Sequence, residues 1–244
     1  MKDFFRSIFQ NLFGFKSYLF CFSLYSINRV NRGKYEKEFV YFINTIKTRG
    51  IVLDVGANIG ITVAPLAQRL PQCRVDAYEP ILENFSTLSK IVKFLNLKNV
   101  SLFNLALGNK SGKLQMIMPT VNNSRMQGLS KAYDPNSGDS GVIYEVQIEK
   151  LDDRYSSNEK IVAMKIDVEN YEFEVLKGAT DLLTRDKPLI YCELWNNDNR
   201  KHALELLYSI GYESFRYNAG ESGIVPWHES SIEEVSNFFF IAKS

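Results

Sequence analysis

Acidic residues at the ends of short apolar segments are the residues of this chain best placed to do chemistry. Asp54 lies near the end of the segment Ile51–Val55, and Glu79 directly follows Arg74–Tyr78. Parallel strands end at a common edge of their sheet, and open α/β folds bind ligands at that edge. The two carboxylates are therefore predicted to lie on the wall of one ligand site.

A loop with glycine at both ends follows the first of these acids. It runs from Gly56 through Ala57 and Asn58 to Gly60, where a helix is predicted to begin. Gly56 allows a sharp turn and a close approach of the backbone to a ligand, because glycine has no Cβ. The unpaired N–H groups at the start of the helix can bind oxygen atoms of that ligand, such as a carboxylate.

The spacing of this loop differs from that of dinucleotide-binding loops. Those follow G-x-G-x-x-G, whereas this one reads D-x-G-x-x-x-G, with Asn58 where a middle glycine could stand. An acid at Asp54 would be poorly placed beside a pyrophosphate. It suits the positively charged amine of S-adenosylmethionine, directly or through water, and we therefore predict this cofactor. The alternative is that Asp54 caps the turn.

Two further segment ends are predicted to hold the nucleoside. The carboxylate of Glu79 can accept both ribose hydroxyls, as it does in NAD-binding domains; alternatively it is a solvated strand end. Asn104 and Ala106 lie at the end of the third apolar segment, where they can contact the adenine. Asn104 is also a typical turn residue, which leaves a structural role open.

Three charged residues alternate at the end of the fourth strand, and they are the first candidates for catalysis. Lys165, Asp167 and Glu169 point the same way while the chain stays extended. Buried charges are costly unless they are paired, so this cluster hints at function, with Lys165 alternatively only neutralising the acids. Asp167 is predicted to face the reacting group, and Glu169 to orient the acceptor or cap the following helix.

Glu193 at the end of the fifth strand is the third catalytic candidate. With Asp167 and Asn196 it could offer oxygen ligands to Mg²⁺. A metal-free role for Glu193, as base or acceptor-binding residue, is favoured, so no metal ligand is predicted. His202 is expected on the surface, and His228 is a weak candidate for the acceptor pocket.

The elements that must position these residues alternate between strand and helix, which predicts a parallel sheet with helices on both faces. Residues 112–149 interrupt the alternation and are predicted to form an inserted hairpin, with strands 114–118 and 142–148 around a polar loop that includes residues 122–128. The other predicted strands are Ile51–Val55, Arg74–Tyr78, 100–105, Ile161–Ile166, 189–194 and Asn237–Ala242. The predicted helices are 61–70, 81–95, 171–183 and 199–210; an irregular segment precedes the last strand.

The composition is that of an ordinary soluble domain, with 45% hydrophobic and 23% charged residues. The 29 basic residues nearly balance the 28 acidic ones, which argues against a nucleic-acid partner. Three scattered cysteines favour a reducing cytoplasm. Residues 1–36 are predicted to be a helical extension of the domain 37–244. The aromatic stretch 15–27 is predicted to pack on that domain or at a subunit contact; the alternative is contact with a membrane surface.

Several motifs, taken in order, resemble the FkbM-type methyltransferases across residues 35–243. One departure is Asn170, which stands where the family usually has glycine; Asn tolerates a left-handed backbone. The resemblance implies a class I, Rossmann-like fold and transfer of a methyl group from S-adenosylmethionine, typically to oxygen. The motifs are 54–60, 78–80, 104–108, 151–153, 165–169, 176–179 and 192–194.

The predicted function is therefore S-adenosylmethionine-dependent methylation of a hydroxyl on a small molecule, sugar or glycan precursor. The acceptor, the acceptor atom and the oligomeric state stay open. Two alternatives are an NAD-dependent oxidoreductase, which the loop spacing opposes, and a non-catalytic nucleoside-binding protein.

Overall fold

Five parallel strands form one side of an eight-stranded sheet in the order β12-β11-β13-β10-β9-β1-β2-β3, and the other three strands pair antiparallel with their neighbours. The computed structural model describes residues 14–34, 36–121, 124–228 and 235–243. The strands of this sheet are β1 (Ile51–Val55), β2 (Arg74–Tyr78), β3 (Val100–Phe103), β9 (Ile161–Ile166), β10 (Leu189–Glu193), β11 (Tyr212–Asn218), β12 (Gly223–Pro226) and β13 (Asn237–Ala242).

Helices cover both faces of the sheet, as the alternating pattern predicted. One apolar core joins the sheet to α5, α6 and α7, and a second joins its other face to α2 and α3. The helices are α1 (Phe15–Asn31), α2 (Lys37–Thr45), α3 (Val63–Arg69), α4 (Leu82–Phe94), α5 (Glu172–Lys177), α6 (Thr180–Asp186) and α7 (Asp198–Ser209).

The chain reverses its direction of travel through the sheet beside β1. It leaves β1 toward β2 and β3 on one side and returns to β9 and β10 on the other. Every residue of β1 is buried, as expected for a parallel strand covered on both faces. The carboxyl ends of β1 and β9 therefore border a topological switch point, where open α/β sheets bind ligands.

The predicted inserted hairpin is confirmed, and its strands are longer than the sequence pattern suggested. Strand β5 (Gly112–Val121) pairs antiparallel with β8 (Gly141–Glu149), from Gly112 opposite Ile148 to Pro119 opposite Gly141. The short strands β4 (Ala106–Leu107), β6 (Ser124–Arg125) and β7 (Lys131–Ala132) extend this second sheet. Residues 122–123 of the predicted polar loop lie outside the described residues.

The predicted helix 171–183 is wrong as a single element, because it divides into α5 and α6 at Gly178. A Cβ added at Gly178 would lie 1.9 Å from the carbonyl oxygen of Gly108. The predicted strand 100–105 ends early, at Phe103 in β3, and the next strand, β4, begins at Ala106 and belongs to the second sheet. The segment expected to be irregular forms the hairpin β11–β12, in which Phe215 pairs with Pro226.

The aromatic N-terminal segment forms α1, which packs against α3 and α4. The hydroxyl of Ser23, buried in this contact, donates a hydrogen bond to the carbonyl of Ile59 at 2.8 Å. Packing of this segment on the domain is thus confirmed for residues 15–31, whereas residues 1–13 lie outside the description. None of the described helices is both long enough and apolar enough to cross a bilayer.

We expect Gly178→Ala to lower the free energy of unfolding by about 3 kcal/mol, the upper end of overpacking costs, because its methyl group would collide with backbone. Urea unfolding followed by circular dichroism measures this. Gly128→Ala is the control: no described atom lies within 4 Å of its added Cβ, so a change below about 0.5 kcal/mol is expected. Equal stability of the two variants would contradict the packing argument.

Candidate active site

Two rows of side chains cross one face of the sheet at its carboxyl edge. In the first row, Asp54 of β1 lies opposite Lys165 of β9, and Tyr191 of β10 lies opposite Lys165. Two residues further along the same strands, Asp167 and Glu193 form the second row, because alternate residues of a strand share a face. The rows bring together acids from three separate segments of the sequence.

Lys165 links the first row to the second and to the glycine loop. Its side chain is buried, and its Nζ lies 3.3 Å from Asp54 Oδ1 and 3.5 Å from Asp167 Oδ2. The same Nζ donates a hydrogen bond to the carbonyl of Gly56 at 2.9 Å. Nearby carboxylates outweigh the effect of burial and raise the pKa of Lys165. The ammonium group therefore stays charged and fixes the ends of β1 and β9 relative to each other.

A cavity of about 400 Å³ lies in front of these rows. Asp167 and Glu193 form part of its wall together with Tyr191, and residues 56–59 of the glycine loop form another part. Asp54 does not line it, but its two side-chain partners, Lys165 and Thr62, do; the hydroxyl of Thr62 donates to Asp54 Oδ2 at 2.6 Å. Asp54 therefore acts on this cavity through those partners in the described geometry.

Among the acidic residues that face the cavity, Glu193 has the most strongly shifted pKa. Burial, followed by the charge of Asp167 and a hydrogen bond with it, raises the pKa of Glu193 to about 8. A proton is consequently held between two carboxyl groups near neutral pH, since two adjacent carboxylates cannot both ionise freely. The pair can take up or release one proton at this point of the cavity.

The glycine loop adopts the conformation that its sequence predicts. Gly56 and Gly60 have positive φ angles of 79° and 89°, which side chains with a Cβ rarely adopt. A Cβ at Gly56 would lie 1.9 Å from the carbonyl oxygen of Asp167. The loop can therefore pass directly against the end of β9 only because this position is glycine.

Glu79 lies beside the loop, buried, and fixes the backbone around it. Its carboxylate accepts hydrogen bonds from the backbone of Asn58 and of Ile81, both at 2.9 Å, and from the side chain of Asn84 at 3.3 Å. Burial raises the pKa of Glu79 to about 7. A carboxylate offers about four acceptor positions, and three of them are already used. Glu79 can therefore accept about one more hydrogen bond, which is enough for one ribose hydroxyl but not for two.

The two residues predicted at the end of the third strand have different roles: Asn104 is structural, and Ala106 lines a cavity. The side-chain amide of Asn104 donates hydrogen bonds to the carbonyls of Glu79 and Pro80 at 2.8 and 2.9 Å. Asn104 therefore has the structural role that the sequence left open. Ala106 lines a narrow apolar cavity of about 30 Å³ with Tyr78, Leu105 and Val168. An apolar slot is thus lined by the two residues that flank Glu79, Tyr78 and Pro80.

Glu169 occupies a separate position from the other two catalytic candidates. It lines a cavity of about 60 Å³ with Glu79 and Asp167, and burial together with Asp167 and Glu172 raises its pKa to about 7. Glu169 and Asn170 both adopt positive φ angles, 52° and 69°. The left-handed turn expected at Asn170 is confirmed. The chain is no longer extended at Glu169, so the predicted alignment of Glu169 with Asp167 on one face does not hold.

Glu172 stabilises this strained turn, and the sequence analysis missed it. Its buried carboxylate accepts hydrogen bonds at 3.2 Å from the backbone N–H groups of Val168 and Asn170. The side chain of Asn199 donates to the same carboxylate at 2.6 Å. An acid three residues after Glu169, at the start of a helix, was the available signal.

Helix α1 forms the wall of the main cavity opposite the sheet. Phe22, Tyr25, Ser26 and Arg29 line it from one side of this helix. The sequence analysis placed no site residue here. The helix shows that the N-terminal extension contributes to the cavity itself.

The remaining polar candidates lie apart from this cavity. Within the described part of the chain, no cluster of three or more His, Cys, Asp or Glu side chains could hold a metal ion. Asn196 is exposed and does not line the cavity. His202 is exposed, as expected. His228 lines a larger groove of about 620 Å³ beside α7 and β11, which shares no lining residue with the main cavity and lies away from the strand ends.

We expect Lys165→Met to destabilise the protein by about 3–5 kcal/mol, because Asp54 would keep a buried charge without its counter-ion. The double variant Asp54→Asn/Lys165→Met should recover part of that loss. Chemical denaturation of both measures the coupling. Lys160→Met is the control: its side chain is 56% exposed and pairs with Asp186, so a loss under about 1 kcal/mol is expected. Similar losses at positions 160 and 165 would rule out the buried pair.

Glu193→Gln should change how stability depends on pH. Because the folded-state pKa of Glu193 is raised to about 8, folding takes up a proton between the ordinary carboxyl pKa and pH 8. Stability due to this group is thus present below about pH 4 and lost as the pH rises through 8. Glutamine does not titrate, so the free energy of unfolding of the variant should rise relative to that of the wild type between pH 5 and 8.5. Urea denaturation measures this difference. A pH-independent difference would show that Glu193 is unperturbed.

Comparison with known proteins matches this chain to a family of methyltransferases. The methyltransferase FkbM domain family matches residues 54–217, more than half of the chain. Methyltransferase 1 of Beauveria bassiana (strain ARSEF 2860) is 26% identical over 145 residues, covering 53% of this chain and 58% of the relative. Methyltransferase sdnD of Sordaria araneosa is 24% identical over 230 residues, covering 81% of this chain and 88% of the relative.

A solved structure shows the same fold. The crystal structure of methyltransferase FkbM from Methylobacillus flagellatus KT superposes with a TM-score of 0.54 at 16% identity. The superposition covers 90% of this chain but 53% of that one, so this chain spans about half the length of that protein. The predicted family and the Rossmann-like, class I fold are confirmed: this chain belongs to the FkbM methyltransferase family.

Proposed function

We propose that this chain is an S-adenosylmethionine-dependent methyltransferase that methylates an oxygen of a small hydroxylated acceptor. The observation that carries the proposal is the meeting of the glycine loop, Glu79 and the Asp167–Glu193 pair around two cavities that share Gly56, Asn58 and Asp167 at the switch point of the sheet. Family membership supports methyl transfer over the nicotinamide-dependent and non-catalytic alternatives, which no feature of the site favours.

The residues present fit this cofactor. Gly56 places its backbone at the main cavity, where the methionine end would lie, Glu79 has capacity for a ribose hydroxyl, and the apolar slot at Ala106 can take an edge of the base. Thr62 and Lys165, held by Asp54, border the same space. Asn58 and Ala57 complete the loop between the glycines.

The chemistry assigned to the chain's own residues is positioning and proton transfer. S-adenosylmethionine supplies, when bound, a methyl group on a positively charged sulfur. Asp167 and Glu193 orient the acceptor hydroxyl, and the pair, in its fully ionised form, accepts the proton that this hydroxyl must lose. A base matters most for oxygen acceptors, because an alcohol is weakly acidic. Glu169, beside Glu79, orients the groups around the turn.

The proposed acceptor is a small molecule or a carbohydrate, bound without a metal. Its support is that, within the described part of the chain, no group of three or more His, Cys, Asp or Glu side chains could hold a metal ion. A cytoplasmic location and contact of the N-terminal segment with a membrane surface stay predictions from the sequence.

We expect Glu79→Ala to weaken binding of S-adenosylhomocysteine about 10- to 100-fold, because charge-assisted hydrogen bonds are worth about 1.5–3 kcal/mol each. Isothermal titration calorimetry measures this, and circular dichroism checks that the variant is folded. Glu145→Ala is the control, since Glu145 lies on the hairpin and pairs with Lys113. Wild-type protein that binds NAD but not S-adenosylhomocysteine would refute the proposed function; unchanged affinity in Glu79→Ala would refute the role of Glu79.

A further inference from the structure

Tyr191 carries a buried hydroxyl that has no hydrogen-bond partner among the described residues. Only 4% of the residue is exposed. Three aromatic side chains pack around its ring with centroids 5.2–6.0 Å away, namely Phe39, Phe42 and Phe239. The ring is therefore held firmly, while the hydroxyl at its end forms no hydrogen bond with any residue that the structure describes.

Such a hydroxyl is costly to the folded protein. Burying a polar group without a partner costs about 1–3 kcal/mol, and phenylalanine would fill the same aromatic surroundings without that cost. The other buried tyrosines differ in this respect. Tyr212 donates to the carbonyls of Leu183 and Pro188, and the hydroxyls of Tyr78 and Tyr155 contact each other at 2.5 Å.

The position of Tyr191 directs its hydroxyl to the main cavity. Tyr191 lines that cavity, two residues before Glu193 on the same face of β10. Burial and the nearby carboxylates, among them Glu36 and Asp167, raise the pKa of Tyr191 well above its usual range. The phenol consequently stays protonated and is available as a donor to an oxygen of a bound molecule.

We propose that Tyr191 donates a hydrogen bond to an oxygen of the methyl acceptor, one that is not itself methylated. The acceptor would then lie between β10 and the wall formed by Phe22 and Tyr25 of α1. This inference rests on the proposed function and deepens it. It defines the acceptor class as compounds with at least two oxygens, one facing Asp167 and Glu193 and a second bound by Tyr191.

Specificity follows from the same arrangement. A site built to hydrogen-bond a substrate oxygen strongly disfavours an analogue that lacks it, because a buried polar group is left unpaired. Compounds with a single hydroxyl should therefore be poor ligands. Tyr191 acts as a specificity-determining residue, and the proton transfer stays with Asp167 and Glu193.

The first test is the stability of Tyr191→Phe in the absence of ligands. If the hydroxyl has no structural role, the variant should unfold at the same or a higher urea concentration than the wild type. Tyr212→Phe is the matched control, and it should lose about 0.5–1.5 kcal/mol, because its hydroxyl has two carbonyl partners. A loss in Tyr191→Phe as large as in Tyr212→Phe would overturn the inference.

The second test uses two probe pairs that differ by one oxygen: cyclohexane-1,2-diol against cyclohexanol, and catechol against phenol. Saturation-transfer NMR on the protein saturated with S-adenosylhomocysteine should show at least one diol binding about tenfold more tightly than its partner. Tyr191→Phe should abolish this preference and bind S-adenosylhomocysteine normally. No preference in the wild type, no binding of any probe, or a preference retained in the variant would each overturn the inference. Wild type that fails to bind S-adenosylhomocysteine would instead refute the proposed function.

Discussion

The buried ammonium group of Lys165 is the contact on which the arrangement of the site depends. It neutralises Asp54 and Asp167 and holds the carbonyl of Gly56. Two segments distant in sequence, the ends of β1 and β9, are thereby fixed at one point of the sheet edge. Because the interior screens charge weakly, this contact also sets the electrostatics of the cavity. Glu193, further out, retains a proton near neutral pH because burial and the charge of Asp167 raise its pKa more than this ammonium group lowers it.

Much of this architecture could be predicted from the sequence because the signals are local. Three such signals depend only on neighbouring residues of the chain. They are the apolar run at β1, the glycines of the loop and the acid after β2. Strand alternation likewise predicted that Lys165 and Asp167 share a face. The family resemblance extended these local signals to the whole sheet, and the superposition on a solved FkbM methyltransferase agrees with it.

What the sequence did not predict depends on contacts between distant segments. The break at Gly178 arises from the backbone of Gly108, which no pattern in residues 171–183 encodes. The role of Asp54 behind Thr62 and Lys165 follows from register between β1 and β9. Tyr191 was overlooked because its aromatic ring is typical of a buried strand, and only the packing of α2 shows that its hydroxyl is unpartnered.

The hydrogen bond from Ser23 to the carbonyl of Ile59 joins a helix outside the family-matched residues to the loop inside them. Docking of α1 and occupancy of the loop are consequently not independent. Thermodynamic linkage requires that a molecule which binds more tightly when the helix is docked must also hold the helix in place, by the same factor. A partner that binds the face of α1 opposite the cavity would then act as an effector of the site without entering it.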